Sequence, residues 1–458
     1  MAAAPTLAYD IVAAPALAYG TATEPALAYN TTTAPKPGPE SQMMPFVHDD
    51  EYVRPPQRTL VLTAHDKPAS HPQQVHISAV GAHGMRITWV TDDRSAPSVV
   101  EYGTSPGEYT AASETGYQTS YQFLSYTSGA IHHVTIGPLE PGTTYYCRCG
   151  RAGDEFSLRA PPATLPIEFV VIGDVGQTEW TASTLYQIGA AADHDHDMVL
   201  LPGDLSYADS QQPLWDSWGR LVQPLASARP WMVTEGNHEK ETLREPDTDR
   251  PARRFVAYNA RWRMPHEESG SSSNLYYSFD ASGGKVHVVM LGSYAELEDG
   301  SMEQQQAWLR RDLAAVDRRR TPWLLVLMHV PWYNTNRAHQ GEAESMRRAM
   351  ESLLYEARVD VVFASHTHAY ERFARIYDNK TNSQGPMYIT IGDAGNNKAH
   401  KFISDHELAH LSLFREASFG HGRLRIMDNR RAVWTWHRNN DEDAAVSDEV
   451  WLERLDSP

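Results

Sequence analysis

Cysteine is nearly absent from this chain, whose 458 residues include only Cys147 and Cys149. That excludes a disulfide scaffold and any cysteine-rich zinc site. The two are expected to share a strand and point to opposite faces, which leaves them unbridged. Long apolar runs are missing too: no window approaches ~18 consecutive apolar residues, so no membrane span is expected. Positive charge is in deficit, with Lys+Arg 40 against Asp+Glu 58, a net charge of −18 and a pI near 5.6. Phosphate backbones are gripped by clustered Lys and Arg, so this balance argues against a nucleic-acid partner. What the chain has in plenty is histidine, 21 residues, many of them beside Asp, Asn or Gly. With so little cysteine, a metal here would be held by nitrogen and oxygen.

A prior of ~150 residues per domain suggests two or three units. Residues 1–50 form the first, a low-complexity stretch expected to be disordered. Within it Ala4-Pro5-Thr6-Leu7-Ala8-Tyr9, Ala14-Pro15-Ala16-Leu17-Ala18-Tyr19 and Glu24-Pro25-Ala26-Leu27-Ala28-Tyr29 repeat at ten-residue spacing. A proline in each copy prevents a long helix. Ile11 to Tyr19 is weakly apolar, but Asp10 and Pro15 interrupt it and no Lys or Arg precedes Lys36, which argues against a secretory leader.

Residues 51–162 read as an antiparallel β-sandwich. Val75, Ile77 and Ala79 alternate with polar neighbours, as do Met85, Ile87 and Trp89, and the pattern continues through Val99–Tyr102, Ile131–Ile136 and Thr143–Cys149. Leu139-Glu140-Pro141-Gly142-Thr143-Thr144-Tyr145 resembles the turn-and-strand signature of fibronectin type III domains. Pro161-Pro162 marks the linker.

Residues 163–458 read as a layered α/β domain, because apolar runs without alternation suit strands covered on both faces. The runs are Ile167–Ile172, Met198–Leu201, Trp231–Thr234, Trp323–Met328, Val359–Ala364 and Met387–Ile391. The Met and Trp residues along Trp323–Met328 are expected in the core. In a helix over Glu342–Ala357, Met346, Met350, Leu353 and Leu354 share one face, with Arg347, Arg348 and Glu351 on the other.

The chemistry lies just beyond the ends of these runs. The sequences there are Gly173-Asp174-Val175-Gly176, Gly203-Asp204-Leu205-Ser206-Tyr207, Gly236-Asn237-His238-Glu239, His329-Val330-Pro331-Trp332-Tyr333-Asn334 and Ser365-His366-Thr367-His368. Sites in open α/β sheets form at the carboxyl ends of strands, and a preceding glycine permits a sharp exit and close backbone approach. Seven donors would thus converge: Asp174, Asp204, Tyr207, Asn237, His329, His366 and His368. They are too many for one tetrahedral zinc. They suit two metals ~3.5–4 Å apart sharing a bridging carboxylate, an arrangement that hydrolyses phosphate esters.

In order and spacing these blocks resemble the purple acid phosphatases of the metallophosphoesterase superfamily, over about residues 70–435. Phe414-Arg415-Glu416-Ala417-Ser418-Phe419-Gly420-His421-Gly422 is similar to the plant high-molecular-weight members, and Tyr207 separates the family from other metallophosphoesterases. The resemblance implies a ferric ion on Asp174, Asp204, Tyr207 and His368. It implies a divalent partner, zinc, manganese or ferrous iron, on the shared Asp204 with Asn237, His329 and His366. Charge agrees with that division: two carboxylates and a phenolate suit a trivalent ion, while neutral Asn and His beside Asp204 suit a divalent one. A tyrosine of pKa ~10 ionises in acid only on a strong Lewis acid, and phenolate-to-iron charge transfer would colour the protein.

The implied activity is an acid phosphatase that hydrolyses phosphate monoesters by attack of a metal-bound hydroxide in line with the leaving alkoxide. By resemblance His238 and His339 supply protons or positive charge to the leaving group, and Asn237, His238, Arg337 and His339 touch substrate. Secretion or a vacuolar location, a homodimer and glycosylation at the sequons Asn30-Thr31-Thr32 and Asn379-Lys380-Thr381 are implied in the same way. Arg337-Ala338-His339 resembles the Lys-Ala-His of phytase-type members, which makes phytate a candidate substrate. Ser345 and Gln384 stand where those relatives often carry cysteine, and Ser365 stands where the usual Gly-His-x-His has glycine. A phosphodiesterase or nucleotide pyrophosphatase on the same scaffold is the alternative enzyme, and a catalytically silent binding protein the alternative class. Asp193-His194-Asp195-His196-Asp197 and Asp441-Glu442-Asp443 read as solvated turns.

Overall fold

The computed structural model describes residues 60–113, 116–190, 196–242, 253–297, 302–396, 401–439 and 445–456. The N-terminal repeats, Asn30, Asp441–Asp443 and the start of the 193–197 loop lie outside these residues. Of that loop's described end, His196 is buried rather than solvated, and the Asp197 carboxylate accepts a hydrogen bond from the Glu168 backbone.

Period-two alternation builds two four-stranded antiparallel sheets between Gln73 and Arg159. In one the order is Gln73–Val80, Gly84–Thr91, Ala130–Ile136, Tyr117–Thr119, and in the other Glu155–Arg159, Thr144–Cys149, Val100–Gly103, Ala111–Ser113. Their inward residues, among them Ile77, Ile87, Trp89, Val134 and Leu158, form one buried cluster. Cys147 and Cys149 both belong to it. The expectation that they point apart is therefore wrong, since residues two apart on a strand share a face. Both are free thiols, and burial pushes that of Cys147 up to about 12.

The six apolar runs of the second part all become strands of two further sheets. One has the order Trp231–Thr234, Met198–Pro202, Ile167–Val171, Gly420–Ile426, Arg431–Arg438, Ala445–Glu453. The other runs Tyr277–Ala281, Val286–Leu291, Trp323–Met328, Val361–Ala364, Met387–Ile391, Tyr370–Tyr377, with short strands beyond. The first is parallel over its first three strands and antiparallel over the rest, the second is parallel at its centre and antiparallel toward both edges, and their apolar residues share one continuous core that contains Trp323–Met328 entire. No helix among the described residues is long and apolar enough to cross a membrane.

The helix at Glu344–Glu356 buries Met346, Met350, Leu353 and Leu354 as its spacing predicts, but Arg347 and Glu351 are buried as well. They are not a solvated face. Arg347 Nη1 meets Glu351 Oε2 at 2.6 Å, and the other Glu351 oxygen accepts the Tyr333 hydroxyl, so each charge has a partner inside. Only Arg348 of the three points outward.

A polar seam ties the sandwich to the larger domain. The buried guanidinium of Arg261 pairs with Asp216 at 2.9 Å and reaches across to the Tyr121 and Tyr126 hydroxyls and to Gln74 Oε1. Arg261 closes the helix Val256–Arg261, whose last carbonyls need donors. Sandwich side chains provide them: His133 Nε2 lies 3.1 Å from Ala260 O, and Arg86 Nη1 donates to Arg263 O just beyond. Burial holds the His133 imidazole down at about 3.

His287 on Val286–Leu291 is set differently, between Asp280 Oδ1 at 2.7 Å and Asp312 Oδ2 at 3.0 Å. Burial works to lower its pKa, but the two carboxylates outweigh it and raise it from 6.5 to about 9. The charged imidazole therefore stabilises the fold fully below pH 6.5, and that contribution is lost as the pH rises through 9. His287→Gln should lower stability most below pH 6.5 and converge with the parent protein near pH 10, as read by urea unfolding across pH. A constant difference over that range would contradict the assignment.

Candidate metal centre

The proposed site residues lie on the segments that follow strand ends, and five of the ten sit in strained turns. Asp174, Asp204, Tyr207, His339 and His366 adopt φ of 55°, 55°, 53°, 59° and 64°. Non-glycine residues held there cost about 1–3 kcal/mol each, which only surrounding structure can impose. The parallel register of Ile167–Val171, Met198–Pro202 and Trp231–Thr234 brings the first three turns together. At Gly236 a Cβ would lie 2.2 Å from Asp204 Oδ1, so the approach of these turns requires glycine there.

Among the described residues two fully buried groups of donors result, with a third, His339, Glu342 and His366, toward the rim. Ligand atoms of Asp174, Asp204 and His368 lie within 4.8 Å of one another, and so do those of Asp204, His329 and His366; all are buried. Asp204 belongs to both. Tyr207 joins the first group, its hydroxyl 2.8 Å from Asp174 Oδ1 and 3.1 Å from His368 Nε2. Asn237 joins the second, its Oδ1 3.1 Å from His329 Nε2, which itself lies 3.4 Å from Asp204 Oδ2. All seven sequence-derived ligands thus meet in one place. The donors fit a hard trivalent and a divalent cation side by side: an anionic oxygen-rich half and a half of neutral nitrogen and amide oxygen.

The electrostatics have the same sense. Burial works to raise the Asp204 carboxyl, but His329, His238 and His366 outweigh it and hold it well below the carboxylate range. Burial, then Asp174 and Asp204, push the Tyr207 hydroxyl far above ordinary tyrosine, so its phenolate needs a strong Lewis acid.

His238 and His339 stand at the rim. His238 Nδ1 lies 2.8 Å from Asp209 Oδ1 and its Nε2 4.0 Å from Asp204 Oδ2, while its ring leans on Tyr207 at 4.1 Å. Burial lowers its pKa, but the Asp209 hydrogen bond and the Asp204 charge outweigh that and raise it, keeping a proton available. His339 Nδ1 lies 2.8 Å from Glu342 Oε1, and its ring is 3.7 Å from that of His366. Arg337 is exposed on the same loop, and its backbone N–H donates to Lys401 O.

Sequence reasoning assigned no role to Glu239, Asp209 or Glu342. Glu239 is fully buried, and its carboxylate accepts N–H bonds from Asp204 and Leu205 on one turn and from Gly236 on the next. Its place beside Asn237 and His238 was the available signal. Asp209 is five residues past Asp204 and Glu342 three past His339, but nothing local aims either of them.

Comparison with known proteins follows the same layout. The family model "Purple acid Phosphatase, N-terminal domain" matches residues 72–161, "Calcineurin-like phosphoesterase" matches 167–370, and "Iron/zinc purple acid phosphatase-like protein C" matches 385–449. Purple acid phosphatase 22 of Arabidopsis thaliana is 58% identical over 405 residues, covering 88% of this chain and 91% of the relative. Phosphoenolpyruvate phosphatase of Allium cepa is 40% identical over 392 residues, covering 81% and 79%. Among solved structures, purple acid phosphatase PPD1 from yellow lupin (Lupinus luteus) seeds superposes with a TM-score of 0.70 at 22% identity, covering 84% of this chain and 75% of that one, a likeness of fold.

Glu239→Gln tests the hidden carboxylate. The amide oxygen can take the place of Oε2 and keep the Asp204 and Gly236 N–H groups, but its NH2 must then face the Leu205 N–H. Stability should fall by about 1–3 kcal/mol, the cost of a buried donor left unmatched, as measured by urea unfolding. An unchanged unfolding midpoint would show that the cradle contributes nothing.

Proposed function

The chain belongs to the purple acid phosphatases, a family of phosphate-ester hydrolases with a binuclear metal centre, and we propose that it cleaves phosphate monoesters with Fe(III) and one divalent ion, Zn, Mn or Fe(II). The observation that carries this reading is Asp204, common to both donor groups and so placed to bridge. In it Asp174, Asp204, Tyr207 and His368 hold the ferric ion, and Asp204, Asn237, His329 and His366 the divalent one. The name of the onion relative, a phosphatase of the monoester phosphoenolpyruvate, supports the substrate class. When bound, the metal pair supplies positive charge to a phosphoryl group and activates water at acidic pH.

The chain's own side chains do the rest. Asn237 and His238 approach substrate from one turn and His339 from the facing loop. Asp209 fixes the His238 ring through Nδ1, which leaves Nε2 toward Asp204 and the site. Glu342 fixes His339 likewise. A protonated His238 or His339 can deliver its hydrogen to the departing alkoxide oxygen, which is poorly stable unprotonated.

Asp204→Asn should lose both metals and the visible band, with turnover of an aryl phosphate lower by on the order of a thousandfold or more. Removing the shared charge leaves two cations repelling each other. Metal analysis of the purified variant decides: two metals per chain with near-parent turnover would sink the ligand scheme.

Phytate belongs to the proposed substrates through Arg337. What supports this is that exposed Arg337 lies two residues before His339 and that its backbone pairs with the segment carrying exposed Lys401, which adds a second cationic residue nearby in the chain's course. A guanidinium there offers paired hydrogen bonds to a second phosphate. Arg337→Ala should raise KM for phytate about tenfold, the loss of one charge-assisted contact, and leave a small aryl phosphate nearly untouched. Equal losses on both substrates would refute selective recognition.

A further inference from the structure

Ser365 occupies the turn between the strand Val361–Ala364 and His366, a place where the related Gly-His-x-His pattern has glycine. It is fully buried, and it touches the metal ligand His329 twice. Its backbone N–H donates to His329 O at 2.9 Å, and its Oγ lies 2.8 Å from His329 Nδ1. The same hydroxyl donates to Pro202 O, which lies 2.9 Å from His329 Nδ1. Hydroxyl, imidazole and carbonyl thus form a closed triangle.

The hydrogens in this triangle can be placed. Pro202 O only accepts. The serine hydrogen is directed at Pro202 O, so Oγ faces Nδ1 as an acceptor. Both neighbours of Nδ1 therefore demand that it carry hydrogen. A neutral imidazole has one N–H, so the lone pair falls on Nε2, the atom 3.1 Å from Asn237 Oδ1 and 3.4 Å from Asp204 Oδ2. The ring's back is also closed sterically. Gly203, at φ +93°, sits so near that a Cβ would lie 2.5 Å from His329 Nδ1. On the other side Gly173 admits the serine, since a Cβ there would lie 2.3 Å from Ser365 Cβ.

We propose that Ser365 is a positioning residue, whose hydroxyl gives His329 a second acceptor and so fixes the tautomer and ring orientation that present Nε2 to the divalent ion. A glycine at this place leaves Pro202 O as the sole acceptor, with a void where the hydroxyl stood. The inference rests on the two-metal reading above. It concerns retention of the divalent ion, since the side-chain contacts of Ser365 are to His329 and to the carbonyl that His329 also meets.

The test is zinc affinity of the ferric-loaded, full-length protein, read by competition with a chromophoric chelator. Ser365→Ala removes the hydroxyl and keeps Cβ, while Ser365→Gly restores the family residue. Partners that orient metal-binding histidines are worth about 10–100-fold in affinity, and Pro202 O remains, so a loss of about tenfold is expected. That loss should be equal in the two variants, with the visible band unmoved and thermal midpoints near the parent's. Parent-like affinity in both, or in Ser365→Ala with loss in Ser365→Gly alone, overturns the proposal, the latter result assigning the serine to packing. Absence of any zinc site in the ferric-loaded parent protein overturns the two-metal reading itself, and this inference with it.

Discussion

Glu239 is the fixed point around which the metal centre is arranged. One buried carboxylate accepts backbone hydrogens from Asp204, Leu205 and Gly236, so the turns after two neighbouring parallel strands share a single anchor. It holds the left-handed Asp204 turn together with Val175 N and Gly176 N, which donate to the Asp204 and Leu205 carbonyls, and His238 N meets the Asp204 carboxylate at 2.9 Å. The Asp204 turn and the Gly236 turn that leads to Asn237 and His238 are therefore tied together by one side chain. Burial, then the Asp204 charge, raise Glu239 to about 7, a measure of how much electrostatic opposition the fold overcomes to keep it there.

The strained turns extend the same logic. Five site residues sit at positive φ, where each costs about 1–3 kcal/mol and gains nothing locally. The core beneath them is apolar strand over its whole width, with Val170, Leu200, Val233, Leu327 and Phe363 all fully buried. A rigid, dry base allows the turns to be held in conformations a free loop would abandon. Binding geometry is thereby set before any ligand arrives, which lowers the ordering cost at the moment of binding.

Sheets, apolar runs and the seven residues that converge were legible in the sequence because each is written in local pattern: period two, unbroken apolar runs, and Gly-Asp or His-x-His at their ends. What escaped was written in distance. Arg347 and Glu351 look like a solvated helix face until Tyr333, from another segment, closes over them. Asp209 and Glu342 resemble any loop carboxylate, and only the fold turns them toward His238 and His339. Glu239 and Ser365 act on backbone groups, and no pattern of side-chain types records where a backbone N–H or carbonyl will need a partner. The cysteine pair shows the reverse case, in which local geometry sufficed: residues 147 and 149 share a face by strand periodicity alone.

The seam between sandwich and catalytic domain sets a limit of its own in acid. His133 meets the carbonyl at the end of Val256–Arg261 as a neutral ring, titrating near 3 when folded against 6.5 when free. As the medium is acidified from pH 6.5 toward 3, the unfolded chain takes up this proton and the folded one refuses it, so stability drains away across that interval. A neutral histidine buried at the joint thus makes acid tolerance in part an architectural property, written where two domains meet.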